Sequence, residues 1–178
     1  MSIRNLYERY GVDDYYKNHS DEYVNYHGGE VKYLLEKNAE RIIDNDTRRV
    51  LDLCSGNGEV TKTLLDMEDV CIKRVASDIV GCDPYMNKIY ERKLQRRCYP
   101  CSFKDIVDGK LDGTYDVIIC SFGMHLCDEK MLFNLLSMLK YEHGMKRLVV
   151  ITPNKKPNIR GVIKYEEKYN RVRLRIYE

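Results

Sequence analysis

The chain sorts into three textures by the spacing of its apolar positions. Between about residues 48 and 152, short runs that are apolar throughout alternate with stretches whose apolar residues recur every three or four positions. Arg49-Val50-Leu51-Asp52-Leu53-Cys54 reads as a buried strand, Ser55-Gly56-Asn57-Gly58 as a tight turn, and Glu59 to Met67 as a helix with Val60, Leu64 and Leu65 on one side. Ile79-Val80-Gly81-Cys82-Asp83 is a second strand. Pro84 then stands near the first turn of a helix running to about Arg97, where its missing N–H costs little. A weaker strand is expected near Cys101-Ser102-Phe103, and strong buried strands at Tyr115 to Phe122 and Lys146 to Thr152. A helix from about Asp128 separates the last two, with Met131, Leu132, Leu135, Leu136 and Leu139 at helical spacing. Fully apolar strands separated by helices predict a mostly parallel sheet covered on both faces, an α/β doubly wound fold of three layers.

The flanks differ. Residues 1–47 are rich in tyrosine, and Val31, Leu34, Leu35, Ile42 and Ile43 fit a helix with one inward stripe, started at the turn-like Asn25-Tyr26-His27-Gly28-Gly29. This part is expected to form a helical cap or lid on a core at 48–152. In residues 153–178, Arg171-Val172-Arg173-Leu174-Arg175-Ile176-Tyr177 alternates with period two, giving one apolar and one arginine face. It is expected to lie at the sheet edge as an antiparallel hairpin, with Gly161 to Lys164 as its partner and Asn170 near the turn. The whole chain reads as one domain.

Composition narrows the classes. Hydrophobic residues are 43% of the 178 and charged residues 33%, which suits a packed globule and excludes a disordered tail. No apolar run reaches the ~18 residues of a membrane helix. No secretory signal is visible in Met1-Ser2-Ile3-Arg4-Asn5, so the expected location is cytoplasmic and reducing. The seven cysteines then read as small buried hydrophobes. Cys98-Tyr99-Pro100-Cys101 has redox or half-zinc spacing but lacks a second ligand pair, so no metal is expected. Net charge is +2, so any argument for nucleic acid rests on local patches.

Candidate chemistry gathers where the first strand hands over to its helix. Gly56 and Gly58 let the backbone turn tightly and approach a ligand, and Asp83 at the end of the next strand can accept from ribose hydroxyls. A dinucleotide fingerprint would need glycine at position 61, which is Thr61. Asp52 and Glu59 beside the turn would repel a pyrophosphate but suit a cationic ligand, as S-adenosylmethionine is. A nicotinamide dehydrogenase is disfavoured on that ground.

These segments resemble class I S-adenosylmethionine-dependent methyltransferases, whose core is Rossmann-like. Val50-Leu51-Asp52-Leu53-Cys54-Ser55-Gly56-Asn57-Gly58 is similar to the first motif and Val80-Gly81-Cys82-Asp83-Pro84 to the second. Lys104-Asp105-Ile106 is similar to the third and Tyr115-Asp116-Val117-Ile118-Ile119-Cys120-Ser121-Phe122 to the fourth. The resemblance implies that Cys54, Ser55, Gly56, Asn57 and Gly58 line the methionine moiety, with Asp52 near its amino group. It implies Asp83 and Pro84 at the ribose, Asp105 at the adenine amino group, Ile106 against the ring, and Ser121 and Phe122 at the transfer site. Three departures stand out: Cys54 where glycine is usual, Ser121-Phe122-Gly123-Met124-His125-Leu126 in place of an Asn-Pro-Pro-aromatic form, and a short segment after the fifth strand.

His125 is the candidate base or acceptor-orienting group, against a helix-capping or packing role. His27 could close over the cofactor or merely start a helix, and the tyrosines from Tyr7 to Tyr26 could form an aromatic lid or simply pack. Lys155, Lys156, Arg160, Lys164, Lys168, Arg171, Arg173 and Arg175, together with Lys88, Arg92, Lys93, Arg96 and Arg97, could dock RNA or form solvated faces. The expected activity is methyl transfer to a small molecule or an exposed group of RNA or protein. The alternative is a cofactor-binding, non-catalytic subunit working with a protein partner.

Overall fold

A computed structural model describes Gly11, Asp14, residues 25–153, Ile159 and residues 161–178. Five strands form the core: β1 (Val50–Leu53), β2 (Ile79–Cys82), β3 (Cys98–Tyr99), β4 (Val117–Ser121) and β5 (Arg147–Thr152). They are joined by α3 (Glu59–Leu65), α4 (Val70–Val75), α5 (Asn87–Leu94), α6 (Phe103–Val107) and α7 (Glu129–Tyr141). Ahead of them lie α1 (Gly28–Lys37) and α2 (Ala39–Ile42); after them come β6 (Ile163–Tyr169) and β7 (Val172–Tyr177). The seven strands run in the order β3-β2-β1-β4-β5-β7-β6, the first five parallel and β7 antiparallel to both neighbours. Chain order reverses between β1 and β4, so a ligand crevice is expected beyond their carboxyl ends.

The parallel strands are largely apolar because they feed two cores at once. Leu51, Leu53, Ile118, Cys120, Leu148 and Val150 pack with Leu132, Leu135 and Leu139 of α7. Their neighbours Val50, Val117, Ile119, Val149 and Ile151 pack on the other face with Val31, Leu34 and Leu35 of α1 and Val60 and Leu64 of α3. Each large aliphatic side chain buried in this way contributes roughly 1.5–3 kcal/mol. The period of two along each strand thus becomes a three-layer sandwich.

The helix ends follow local rules. α1 stops at Asn38, whose side-chain amide donates to the Leu34 carbonyl at 2.8 Å and so satisfies one of its orphaned acceptors. Asp69 caps α4 by accepting from the Ile72 N–H at 3.0 Å. Asp128 caps α7 by accepting from Lys130 and Met131 at 2.9 and 2.8 Å.

Several boundaries differ from the sequence reading. The weak strand is not at residues 101–103 but at Cys98–Tyr99, where Gly81 and Cys82 pair with it. Pro100 offers no N–H to continue the ladder, and Ser102 begins α6 as one half of a capping box with Asp105. The helix after Pro84 is shorter than expected: residues 84–86 form turns, and Gln95 ends α5 in the left-handed region at φ 54°. α4 had no counterpart in the reading, although Asp69 followed by Val70, Ile72 and Val75 carries its signal.

The arginine-striped strand β7 is not the sheet edge. It fills the position between β5 and β6 because Val172, Leu174 and Ile176 are all buried. The antiparallel hairpin does lie at the margin of the sheet, but its outer strand, expected over Gly161 to Lys164, begins at Ile163 and runs on to Tyr169, with Asn170 turning the hairpin at φ 54°. The true edge, β6, is exposed over most of its length. Among the described residues no helix is long and apolar enough to cross a membrane.

Candidate functional site

The turn after β1 is built from backbone that only special residues tolerate. Cys54, Gly56 and Gly58 all have left-handed φ, at 57°, 53° and 91°. The Ser55 N–H donates to the Cys82 carbonyl at 3.2 Å, and the Gly58 N–H to the Ser55 carbonyl at 2.9 Å. A Cβ on Gly58 would overlap Leu94 of α5, so the close approach of helix and turn needs glycine there.

Asp83 ties this turn to the end of β2. One carboxylate oxygen accepts from the Gly56 N–H at 3.0 Å; the other accepts from Tyr85 and Met86 at 2.9 and 2.8 Å. The side chain is buried, which pushes its pKa up against the opposing pull of the three N–H donors. A cavity of about 300 Å³ opens here, walled by Asp83, Pro84 and Tyr85 on one side and Ser121 and Phe122 on the other. Leu53, Cys54, Gly56 and Gly123 form its floor, while Cys101, Ser102, Phe103 and Leu126 complete it.

A second space of about 30 Å³, the size of one water or ammonium group, shares Cys54, Gly56 and Ser121 with the first. Ser55, Asn57, Asp52, Glu59 and Asn25 border it. Asp52 is 1% exposed. Its Oδ2 accepts from the Thr61 hydroxyl at 2.7 Å and the Thr61 N–H at 3.2 Å, while its Oδ1 is buried without a partner. Burial, reinforced by the charges of Asp83 and Glu59, pushes its pKa up to about 7 against the hydrogen bonds from Thr61. Glu59 accepts from the Asn25 side chain at 2.7 Å, and burial raises its pKa too. An orphaned carboxylate oxygen with a second, half-buried acid bordering the same space is a seat for a small cation.

The opposite wall is also strained. Phe122 sits at φ 58°, held by its N–H donating to the Ile151 carbonyl at 2.9 Å. His27 stacks on the Phe122 ring with centroids 5.4 Å apart and planes 21° apart. Its N–H donates to the Asn25 side chain at 3.0 Å, and its Nδ1 lies 3.5 Å from Glu30 without a hydrogen bond. The segment 25–27 therefore folds onto the site wall. Of the tyrosine cluster only Tyr26 is described, and it is 79% exposed; Tyr7, Tyr10, Tyr15, Tyr16 and Tyr23 lie outside the described residues.

Not every expected residue comes to the cavity. Asp105 directs one oxygen at the Ser102 N–H and hydroxyl, at 3.0 and 2.6 Å, and the other at Lys110, at 2.6 Å. The Lys110 ammonium and the Ser102 donors hold its pKa well below the usual carboxylate range. Ile106 is buried in the core. Ser102 and Phe103, at the start of α6, form the wall instead, and the Ser102-x-x-Asp105 spacing is the signal that points to them. His125 lies in a one-turn helix, Met124–Leu126, with Nδ1 buried and unpartnered and its pKa lowered by burial; Leu126, not His125, belongs to the cavity wall. Tyr85 was also missed, although it follows Asp83 and Pro84 directly.

The cysteine pair separates. Cys98 is buried in β3, 3.5 Å from the Ser55 hydroxyl, and Cys101 faces the cavity; both are free thiols. Among the described residues no cluster of His, Cys, Asp and Glu could hold a metal.

No protein-family model matches the chain. It is 29% identical over 194 residues to an uncharacterized protein of Schizosaccharomyces pombe, an alignment covering 89% of this chain and 77% of that protein. Among solved structures it is similar to magnesium protoporphyrin IX methyltransferase from Synechocystis PCC 6803 with bound SAM. That likeness has a TM-score of 0.60 at 15% identity and covers 98% of this chain and 93% of the other. A SAM-dependent methyltransferase from Archaeoglobus fulgidus is similar with a TM-score of 0.53 at 23% identity, covering 72% of this chain and 54% of the other. Strand order, the antiparallel seventh strand and these likenesses agree: the chain has the Rossmann-like fold of class I S-adenosylmethionine-dependent methyltransferases.

Proposed function

We propose that the protein binds S-adenosylmethionine in the joined cavities and transfers its methyl group to an acceptor at the Phe122 side. The observation that carries this reading is the buried, unpartnered Oδ1 of Asp52 in a space fit for an ammonium group, next to Glu59. A nicotinamide dinucleotide would bring a pyrophosphate to these two acids, which disfavours it.

The cofactor supplies a methyl group already activated on a positively charged sulfur. Asp52 and Glu59 would hold its amino group. Asp83 would accept from the ribose, since Oδ2 accepts only the Gly56 N–H and keeps lone-pair capacity. Tyr85 and Phe103 would flank the adenine, and Ser102 offers a hydroxyl at its edge. Cys54 and Ser121, common to both cavities, would bracket the sulfur. Phe122 under His27 would close the wall against water, so that alignment and exclusion of solvent do most of the catalytic work.

Calorimetric titration with S-adenosylhomocysteine and, separately, with NAD tests the binding: saturable heat with the first and none with the second is expected. Absence of binding to the first overturns the proposal. Transfer of a labelled methyl group into a cell extract then tests catalysis, and nuclease or protease sensitivity of the product identifies the acceptor class. Binding without any transfer would favour a cofactor-binding subunit of a larger assembly.

A further inference from the structure

The two basic stretches of the sequence do not form one surface. The C-terminal hairpin lies at the β6 edge of the sheet, whereas α5 packs on β2 and β3 at the other. Five strand spacings of about 4.8 Å put them ~24 Å apart. Within the hairpin Arg175 pairs with Glu166, while Glu167 is taken by Lys37 of α1.

The outer side of α5 carries three cations close together. Lys88 and Arg92 are one turn apart on it, Lys93 flanks them, and all three are exposed. None makes an ion pair among the described residues, whereas Lys104, Lys110 and Lys146 pair with Asp108, Asp105 and Asp116, and Lys164 and Lys168 of the hairpin, like the α5 cations, pair with none of them. Glu91, the acid of this helix, is turned to the Cys98 N–H at 3.1 Å. Arg96 and Arg97 beyond the helix are also spoken for, on the Ala76 carbonyl and the Tyr99 ring.

This cationic face adjoins the candidate site. Pro84 and Tyr85, just before α5, wall the larger cavity. Tyr90 meets the Thr61 hydroxyl at 2.8 Å, and Lys93 acts electrostatically on Glu59. The cavity beside it has aromatic and aliphatic walls in Tyr85, Phe103, Phe122 and Leu126, and Asp83 is its one charged side chain among the described residues. An uncharged planar group suits such a mouth, and a polyanion suits the helix next to it.

We propose that α5 binds the phosphate backbone of a single-stranded nucleic acid, with Lys88, Arg92 and Lys93 as the contacts and an unpaired base presented to the Phe122 and Leu126 end of the cavity, beyond the Tyr85 and Phe103 walls that would flank the cofactor's adenine. A strand is preferred over a duplex because a paired base cannot reach aromatic walls. The binding itself does not depend on the methyltransferase reading; only the role of the base does.

The test is fluorescence anisotropy with a labelled 12-nucleotide oligouridylate, using the full chain with and without S-adenosylhomocysteine. Three phosphate contacts on a single strand predict a log–log salt slope near −2, a roughly 20-fold loss of affinity between 50 and 200 mM salt. The triple variant K88E/R92E/K93E should weaken binding at least tenfold, while K164E/K168E in the hairpin should change it less than twofold. Unaltered binding by the triple variant, a larger loss from the hairpin variant, or preference for phosphatidylserine vesicles or a duplex of equal length would overturn the proposal. Calorimetry with S-adenosylhomocysteine on the same variants keeps the two readings apart: oligonucleotide binding without cofactor binding would sink the methyltransferase reading alone.

Discussion

Gly123 lacks a side chain where Cys54 has one. A Cβ on Gly123 would overlap both the Cβ and the Sγ of Cys54 and lie 3.3 Å from the sulfur of Cys120. Gly123 has φ −110°, which any residue adopts, so its glycine answers a steric demand from across the cavity floor. Cys54, in turn, bears a side chain in the left-handed region, φ 57°, where glycine would sit without strain. The departure from the usual first-motif glycine and the glycine after Phe122 are two halves of one packing solution.

Gly123→Ala should therefore destabilise the fold by about 1–3 kcal/mol through overpacking. In a Cys54→Gly background the same substitution should cost less than about 1 kcal/mol, because the clash is gone. Urea unfolding of the four proteins measures the coupling. Additive effects would mean that the two positions do not share their space.

Asp52 predicts a pH dependence with a definite sign. Its folded pKa, about 7, stands above the value near 3.9 of an unfolded aspartate. The native state thus holds a proton that the unfolded chain releases, and this contribution is complete below pH ~4 and lost as pH rises through about 7. A cationic ligand acts oppositely, since it favours the carboxylate. Affinity for S-adenosylhomocysteine should rise as pH increases from 6 to 8, with proton release seen as a buffer-dependent heat in calorimetry. Asp52→Asn should flatten this rise and remove most of the affinity. Affinity independent of pH would take the amino group away from Asp52.

The parts of this fold that could be read from sequence were those where one short-range rule dominates. Largely apolar runs marked β1, β4 and β5, and Gly56 and Gly58 marked the turn, because burial and backbone freedom each leave a local signature. The misplaced β3 and the missed α6 show rules in competition: Cys101-Ser102-Phe103 looks extended until the capping box of Ser102 and Asp105 is weighed against it. The position of β7 needed partners remote in sequence, since period-two alternation does not distinguish an edge from a strand beside one. The same limit explains the site. Asp52 and Asp83 are at strand ends and were legible, whereas Phe103 and Leu126 join the cavity only through the packing of α6 and the turn before α7.

The two turn glycines should fail in different ways. Gly56 borders both cavities, so Gly56→Val should abolish cofactor binding and lower stability modestly through its positive φ. Gly58→Val pushes against Leu94 and Tyr90 under the turn and should destabilise the whole fold by more than about 2 kcal/mol. Thermal melts alongside calorimetry separate the two; equal melting points would contradict the packing described for α5.

Asp105 and Phe103 are the last pair to be told apart. If the carboxylate of Asp105 serves the start of α6, then Asp105→Ala should cost about 1 kcal/mol of stability, as loss of a cap does. The cost should fade in acid, because a depressed folded pKa contributes stability above the unfolded value and loses it as pH falls through the folded one. Cofactor affinity should change less than about threefold. Phe103→Ala removes an aromatic wall of the cavity and should weaken binding by roughly tenfold, on the scale of ~1–1.5 kcal/mol for one ring contact. Both are read by unfolding and calorimetry on the same samples. The reverse pattern, with Asp105→Ala impairing affinity and Phe103→Ala leaving it intact, would restore the carboxylate to the adenine and remove the ring from it.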